Sequence, residues 1–126
     1  MAESRKVINP NIVQGAQFYP DYLEVTLTNN TNNLTLSTLS SFTIFEMDST
    51  GNYSLTGIAP PSTSVGWNIK IFNRGTNNII FKTQDAASLA ENRFDIGADK
   101  TVQPNEGIEL TYRVAKLRWG STGINI

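Results

Sequence analysis

The feature that most constrains this chain is an apolar alternation of period two that restarts after almost every cluster of Asn, Gly, Pro or Ser. Leu23, Val25 and Leu27 alternate with Glu24, Thr26 and Thr28. A run that puts every second side chain on one face is a half-buried strand. Asn29 to Asn33 forms a turn, after which Leu34-Thr35-Leu36-Ser37 resumes the pattern, so 22–37 reads as a hairpin or two neighbouring strands. Phe42 to Met47 and Tyr53 to Ile58 follow, closed by Asp48-Ser49-Thr50-Gly51-Asn52 and by Ala59-Pro60-Pro61-Ser62. Trp67 to Asn73 and Asn78 to Thr83, separated by Arg74-Gly75-Thr76-Asn77, make the strongest hairpin signal. Asp85 to Asn92 is the one helix-like stretch, with Asp85 placed to cap it. Strands at Ile108–Val114 and Leu117–Gly120 complete the pattern after the turn Pro104-Asn105-Glu106-Gly107, where Pro fixes φ and Gly allows φ above zero. Short strands at this spacing, with no solenoid repeat standing out, predict an all-β fold: a single jelly-roll-like β-sandwich with an extended N-terminal arm.

Composition supports strands and narrows function. Hydrophobic residues are 39% and charged residues 17% of the chain, and the balance is largely Asn, Thr and Ser. Thr suits a pleated surface and Asn suits turns. At 126 residues the chain fits one domain. The net charge of −1, with both signs scattered, gives no footprint for nucleic acid or for an anionic membrane surface. No cysteine and no histidine are present, which removes disulfides, thiol chemistry and the commonest general base and metal ligand. Met1-Ala2-Glu3-Ser4-Arg5-Lys6 is not followed by the apolar run of a signal peptide, so the chain is expected to be made in the cytoplasm.

The expected organisation is an arm at 1–21, a β-sandwich at 22–120 and a loose tail at 121–126. Pro10 and Pro20 discourage helix and central strand in the arm, and Phe18, Tyr19 and Tyr22 form a dense aromatic patch there. Apolar and aromatic residues of this kind either pack on their own domain or anchor a contact with a partner.

From Gly57 onward the order of residues is similar to a β-module of tailed-bacteriophage virion proteins. The residues that carry the likeness are Thr56-Gly57-Ile58, the strand Trp67 to Asn73, Arg74-Gly75-Thr76-Asn77-Asn78-Ile79, Asn92-Arg93-Phe94, Pro104 to Gly107, Leu110-Thr111-Tyr112 and Leu117-Arg118-Trp119. The resemblance covers residues 55–120. It implies a capsid decoration protein or head fibre, or a part of a tail fibre. It further implies a homo-oligomer, with a trimer favoured, and a virion partner such as the major capsid protein. The expected location is the capsid surface. In such proteins the N-terminal end often carries the attachment, which assigns Ile8, Ile12, Val13, Phe18 and Tyr19 to gripping the shell. The motif residues also have structural work to do. Tyr112 and Trp119 are large enough to anchor a core, Arg93 has Asp95, Asp99 or a backbone carbonyl to pair with, and Arg118 an aromatic face.

No catalytic constellation is expected. Serines have no histidine to activate them, and no Ser-x-x-Lys occurs. Asp85, Glu91, Asp95, Asp99, Glu106 and Glu109 fall in or beside turns, where acidic residues are ordinary solvated surface. No cofactor and no metal is assigned; a calcium loop from Asp95 and Asp99 matches no known spacing. The binding alternative is a tail-fibre module for a receptor or host glycan. Tyr53, Trp67 or Trp119 would then stack on a sugar ring, against the plainer role of filling the core. A small hydrolase or lyase on the same scaffold is the third reading, and the missing histidine counts against it.

Overall fold

The computed structural model describes residues 21–35 and 40–125, with side chains through Ser121. The attachment residues expected in the arm, Ile8, Ile12, Val13, Phe18 and Tyr19, lie outside the described residues. Among the described residues there are eight strands and one short 3-10 turn, Ala90–Asn92. The strands are β1 (Asp21–Leu27), β2 (Phe42–Ser49), β3 (Tyr53–Leu55), β4 (Asn68–Asn73), β5 (Ile79–Phe81), β6 (Lys100–Val102), β7 (Gly107–Arg113) and β8 (Arg118–Asn125). They form a five-stranded sheet in the order β1-β2-β4-β7-β8 and a three-stranded sheet in the order β3-β5-β6. The all-β expectation holds. The jelly-roll description is not confirmed, because Greek keys are built from antiparallel strands and here β1–β2, β2–β4 and β3–β5 are parallel.

The hairpin expected from Trp67 to Thr83 is not a hairpin. β4 lies in the large sheet and β5 in the small one, and β5 pairs with β3 and β6 instead. The described part of 22–37, expected as a hairpin or two neighbouring strands, divides in the same way: β1 joins the large sheet, while Thr31 and Leu34 bridge Leu55 and Ile58 beside β3. Each strand–turn–strand unit is therefore an arch that carries the chain from one sheet to the other. Three such arches stack in parallel. A period of two says which face of a strand is buried, not which strand lies alongside.

The arches contain a repeat that spacing conceals. Strand register aligns Leu27 with Ser49 and Met47 with Asn73. Carried into the turns, it aligns Thr28-Asn29-Asn30, Thr50-Gly51-Asn52 and Thr76-Asn77-Asn78. The Asn30 side-chain oxygen accepts the Ser54 N–H of the next arch at 2.9 Å, and Asn52 accepts the Asn78 N–H at 2.8 Å. Asparagine thus stitches each arch to its successor by satisfying a backbone donor that a turn would leave exposed. The loop through Pro60 and Pro61 lengthens the second step, so no fixed period appears in the sequence.

One core lies between the sheets. Phe45, Ile69, Ile71, Ile108, Leu110 and Tyr112 from the large sheet meet Leu55, Ile79, Phe81 and Val102 from the small one. The segment 92–95 braces the two together. Asn92 O accepts the Ile58 N–H (2.9 Å), Phe94 O the Gln84 N–H (2.7 Å) and Arg93 O the Trp119 N–H (3.0 Å), while Asp95 N–H donates to Trp119 O (2.7 Å). Phe94 is fully buried with its ring centroid 5.3 Å from that of Phe81. Gly57 permits the close approach, since a Cβ there would meet Asn92 O and Ser88 Oγ, each at 2.6 Å.

Three local expectations change. Asp85 to Asn92 forms no α-helix; Asp85 Oδ1 accepts the Ala87 N–H at 2.9 Å, and only Ala90–Asn92 winds into a 3-10 turn. At Pro104 to Gly107 the positive φ falls on Asn105 (71°), not on Gly107. Gly107 is required for a different reason: a Cβ would sit 2.9 Å from the Phe72 ring, which packs across the strand onto it. The tail is not loose through 125, because 121–125 continue β8 and pair with β7 past a bulge at Glu109/Leu110.

Candidate binding surface

The aromatics assigned to sugar stacking part company. Trp119 is 0% exposed, its indole N–H donates to Ile58 O at 2.9 Å, and its ring meets Tyr112 edge-on at 5.1 Å. Trp119 therefore presents no face to a ligand; the core claims it because a ring of that size buries more apolar area than any other residue here. Trp67 is half-buried against the core and donates its indole N–H to Ser62 O at 2.8 Å. Tyr53 is half-buried, with its hydroxyl 3.1 Å from Thr50 Oγ1. Trp67 precedes the β4 end that pairs with Phe42, whereas Tyr53 follows the opposite end of β2. The three do not share one site.

Arg93 pairs with a backbone carbonyl, donating from Nε to Ser88 O at 2.9 Å. Arg118 donates from Nε to Gln84 Oε1 at 2.9 Å. The acidic residues are dispersed: Asp95 pairs with Lys116 (3.3 Å), Asp99 with Lys82 (3.1 Å) and Glu109 with Lys70 (3.2 Å). Among the described residues no group of three or more acidic, His or Cys side chains is placed to hold a metal ion, and no helix is long and apolar enough to cross a membrane.

The surface that stands out is the outer face of the five-stranded sheet, which sequence reasoning did not single out. Burial alternates along β1, β2 and β4, so Leu27, Phe45, Met47, Ile69 and Ile71 point inward. Tyr22, Phe42, Ile44 and Phe72 occupy outward positions. Tyr22 is 57% and Phe72 37% exposed. Register sets Tyr22, Ile44, Lys70 and Glu109 side by side across four strands. Beside this apolar group an open cleft of about 530 Å³ runs between Phe42, Gly66, Asn68, Lys70, Glu109 and Thr111. A signal for this face was present in the sequence: Phe42-Thr43-Ile44-Phe45-Glu46-Met47 is apolar on both of its faces, the pattern of a strand covered on both sides.

Charge divides across the face. Glu24, Glu46 and Asp48 lie on β1 and β2, where Arg74 reaches Glu24 (3.8 Å) and Asp48 (3.9 Å). Arg113 and Arg118 lie on β7 and β8, with Lys116 in the turn between them. Partial desolvation, and then the Glu24 and Glu46 carboxylates, raise the Tyr22 phenol above its usual pKa. Burial likewise raises Tyr112, whose hydroxyl donates to Glu91 O at 2.7 Å.

Asp99 is lowered, first by the Thr83 N–H that its carboxylate accepts at 2.9 Å and then by Lys82. A carboxylate with a lowered folded pKa stabilises the fold above its unfolded value, and that contribution is lost as pH falls through the folded value. Asp99→Asn is therefore expected to flatten the decline of the thermal midpoint as pH falls through the ordinary carboxylate range and below it. Paired melting curves of the two proteins check this.

No family model, no curated protein and no solved structure matches the chain.

Proposed function

We propose that this chain is a structural module of a bacteriophage virion, a capsid auxiliary protein of the decoration or head-fibre kind that works by adhesion. What supports the reading is the likeness of residues 55–120 to phage virion modules. Its residues Asn92-Arg93-Phe94, Tyr112 and Trp119 are the ones that brace the two sheets and fill the core around them. The β-domain forms a homotrimer, and the N-terminal segment, through Ile8, Ile12, Val13, Phe18 and Tyr19, grips the shell. Many copies on one particle turn weak single contacts into firm attachment. Deleting residues 1–20 is expected to leave a folded oligomer that no longer co-sediments with particles of the phage that encodes it. Retained co-sedimentation of the truncated protein refutes the attachment assignment.

The tail-fibre reading, with a host receptor or glycan as ligand, draws on the cleft in which Phe42, Ile69 and Leu110 lie beside the polar Asn68, Lys70, Glu109 and Thr111. It requires the isolated protein to bind host cells or polysaccharide and not capsids.

A further inference from the structure

We infer that the free edge of the first arch is where two copies of this chain meet, β1 against β1 about a two-fold axis through Val25. The inference does not depend on the proposed function; where a trimer stands, this contact joins two of them.

The case begins with how the stack of arches ends. On one side the parallel arches are closed by antiparallel strands, β7 in the large sheet and β6 in the small one. On the other side the first arch is terminal in both layers. β1 is the last strand of the large sheet, and Thr31 and Leu34 bridge Leu55 and Ile58 at the β3 end of the small one. Among the described residues nothing pairs with the edge beyond them. The core is cut at the same place. Strand register stacks Leu23 on Phe45, Val25 on Met47 and Leu34 on Ile58. Phe45, Met47 and Ile58 are no more than 1% exposed, whereas Leu23, Val25 and Leu34 are half-buried although they pack on the same core. A repeat stack ordinarily ends in a cap with a polar outer face; this one ends in aliphatic side chains and open backbone. Tyr22 to Leu27 carries no proline, no bulge and no inward charge to blunt the edge. Its one charge, Glu24, points outward and is met by the Tyr22 hydroxyl (3.4 Å) and by Arg74 (3.8 Å).

Self-complementarity selects the occupant. Laid antiparallel to a second β1 about Val25, the strand sets Val25 against Val25 and Leu23 against Leu27 on the inner side, and Glu24 against Thr26 and Tyr22 against Thr28 on the outer side. Apolar groups meet apolar groups and no carboxylate faces another, which is the pairing that stabilises a sheet. An axis through Glu24 sets carboxylate against carboxylate, and an axis through Leu23 sets Asp21 against Val25 on the inner side; both cost stability. The axis through Val25 crosses both layers, so residues 31–34 of the two copies come together at the same seam. Leu23, Val25 and Leu34 then gain the cover that Phe45, Met47 and Ile58 already have. A section of two layers with their side chains, about 20 Å by 24 Å, gives each partner about 480 Å², near the small end for a specific contact. The backbone ladder between the two strands adds to it, and association in the micromolar range is expected. A contact of this kind is isologous and closes at two.

The test uses the full chain, which contains no cysteine, so an introduced thiol reports its own neighbour. Val25→Cys is expected to form a disulfide-linked dimer under mild oxidation, because the axis sets residue 25 against itself within disulfide reach. Glu24→Cys is expected to stay unlinked, and the double variant Glu24→Cys/Thr26→Cys to link. By light scattering at high micromolar concentration the wild type is expected to have twice the mass of Val25→Lys, which sets two ammonium groups together at the axis. Far-ultraviolet spectra and melting curves establish that each variant is folded. Val25→Cys that stays unlinked, or a wild-type mass that Val25→Lys leaves unchanged, overturns the edge contact, and a trimer of that unchanged mass leaves the proposed function standing. Linking by Glu24→Cys alone overturns the register. Association that appears only after residues 1–20 are deleted identifies the chain's own N-terminal segment as the occupant and overturns the second copy.

Discussion

Phe94→Ala is expected to lower the folding free energy by about 3–5 kcal/mol, and to lower the thermal midpoint by more than about 10 °C. Phe94 is fully buried and packs its ring against Phe81. Truncating such a ring removes its transfer energy and leaves a cavity that the neighbours only partly fill. Position matters as much as size here. The backbone on either side of Phe94 carries the hydrogen bonds that tie Gln84, Trp119 and Ile58 together, and Phe94 itself bridges both Thr83 and Trp119. Loss of the ring releases the clamp between the sheets as well as the packing. Denaturant melts of the two proteins measure the difference. A loss below about 1 kcal/mol, the ordinary range for surface substitutions and slight repacking, would show that the brace carries no special share of the stability.

The second large effect is expected at Asn73, the last residue of β4. Its side chain is buried and fully engaged. Nδ2 donates to Asn77 O (2.7 Å) and to Val102 O (3.0 Å), and Oδ1 accepts the Gly75 N–H (3.0 Å). It therefore shapes its own arch and ties it to β6. Asn73→Ala leaves two carbonyls and one N–H without this partner, at a cost of about 2–4 kcal/mol. Asn73→Asp is worse at neutral pH, since a carboxylate there faces two carbonyl oxygens and its folded pKa is pushed up. A raised folded pKa means that the neutral form is favoured on folding, so the Asp variant should regain stability as pH falls toward the carboxylate range, in the direction opposite to Asp99. Thermal melts of both variants across pH check the sign as well as the size.

Particular residues show how far the sequence could be read. β1, β2, β4 and β7 were legible because Leu23/Val25/Leu27, Phe45/Met47, Ile69/Ile71 and Ile108/Leu110/Tyr112 alternate strictly. The burial of Tyr112 followed from its size. Neighbours were not legible. The turn Arg74 to Asn77 fits a hairpin by length and composition, and the mark of an arch is subtler: Asn73 stands at an inward position, where only the inside of a bend offers it partners. The Thr-x-Asn repeat at 28–30, 50–52 and 76–78 becomes visible only when strand register aligns the three arches. Gly107 read as a turn glycine and serves as the seat of the Phe72 ring, a contact between residues far apart in the chain. Trp119 was open to two roles because an aromatic adds the same apolar weight to a core as to a binding face. The grouping of Tyr22 with Phe42, Ile44 and Phe72 on the outer face is not legible in the sequence, because Phe42 and Ile44 sit in a run that is apolar on both faces, where alternation stops separating inside from outside.

Adhesion to a phage particle is the claim on which the functional reading stands, and imaging tests it most directly. Virions of the encoding phage, grown with an epitope-tagged copy of the protein and labelled with gold-conjugated antibody, should carry gold over the capsid surface, at many positions per head. Gold confined to tail tips would move the protein to the tail-fibre reading. Unlabelled virions, with all of the tagged protein left free in the lysate, would contradict a place in the particle altogether.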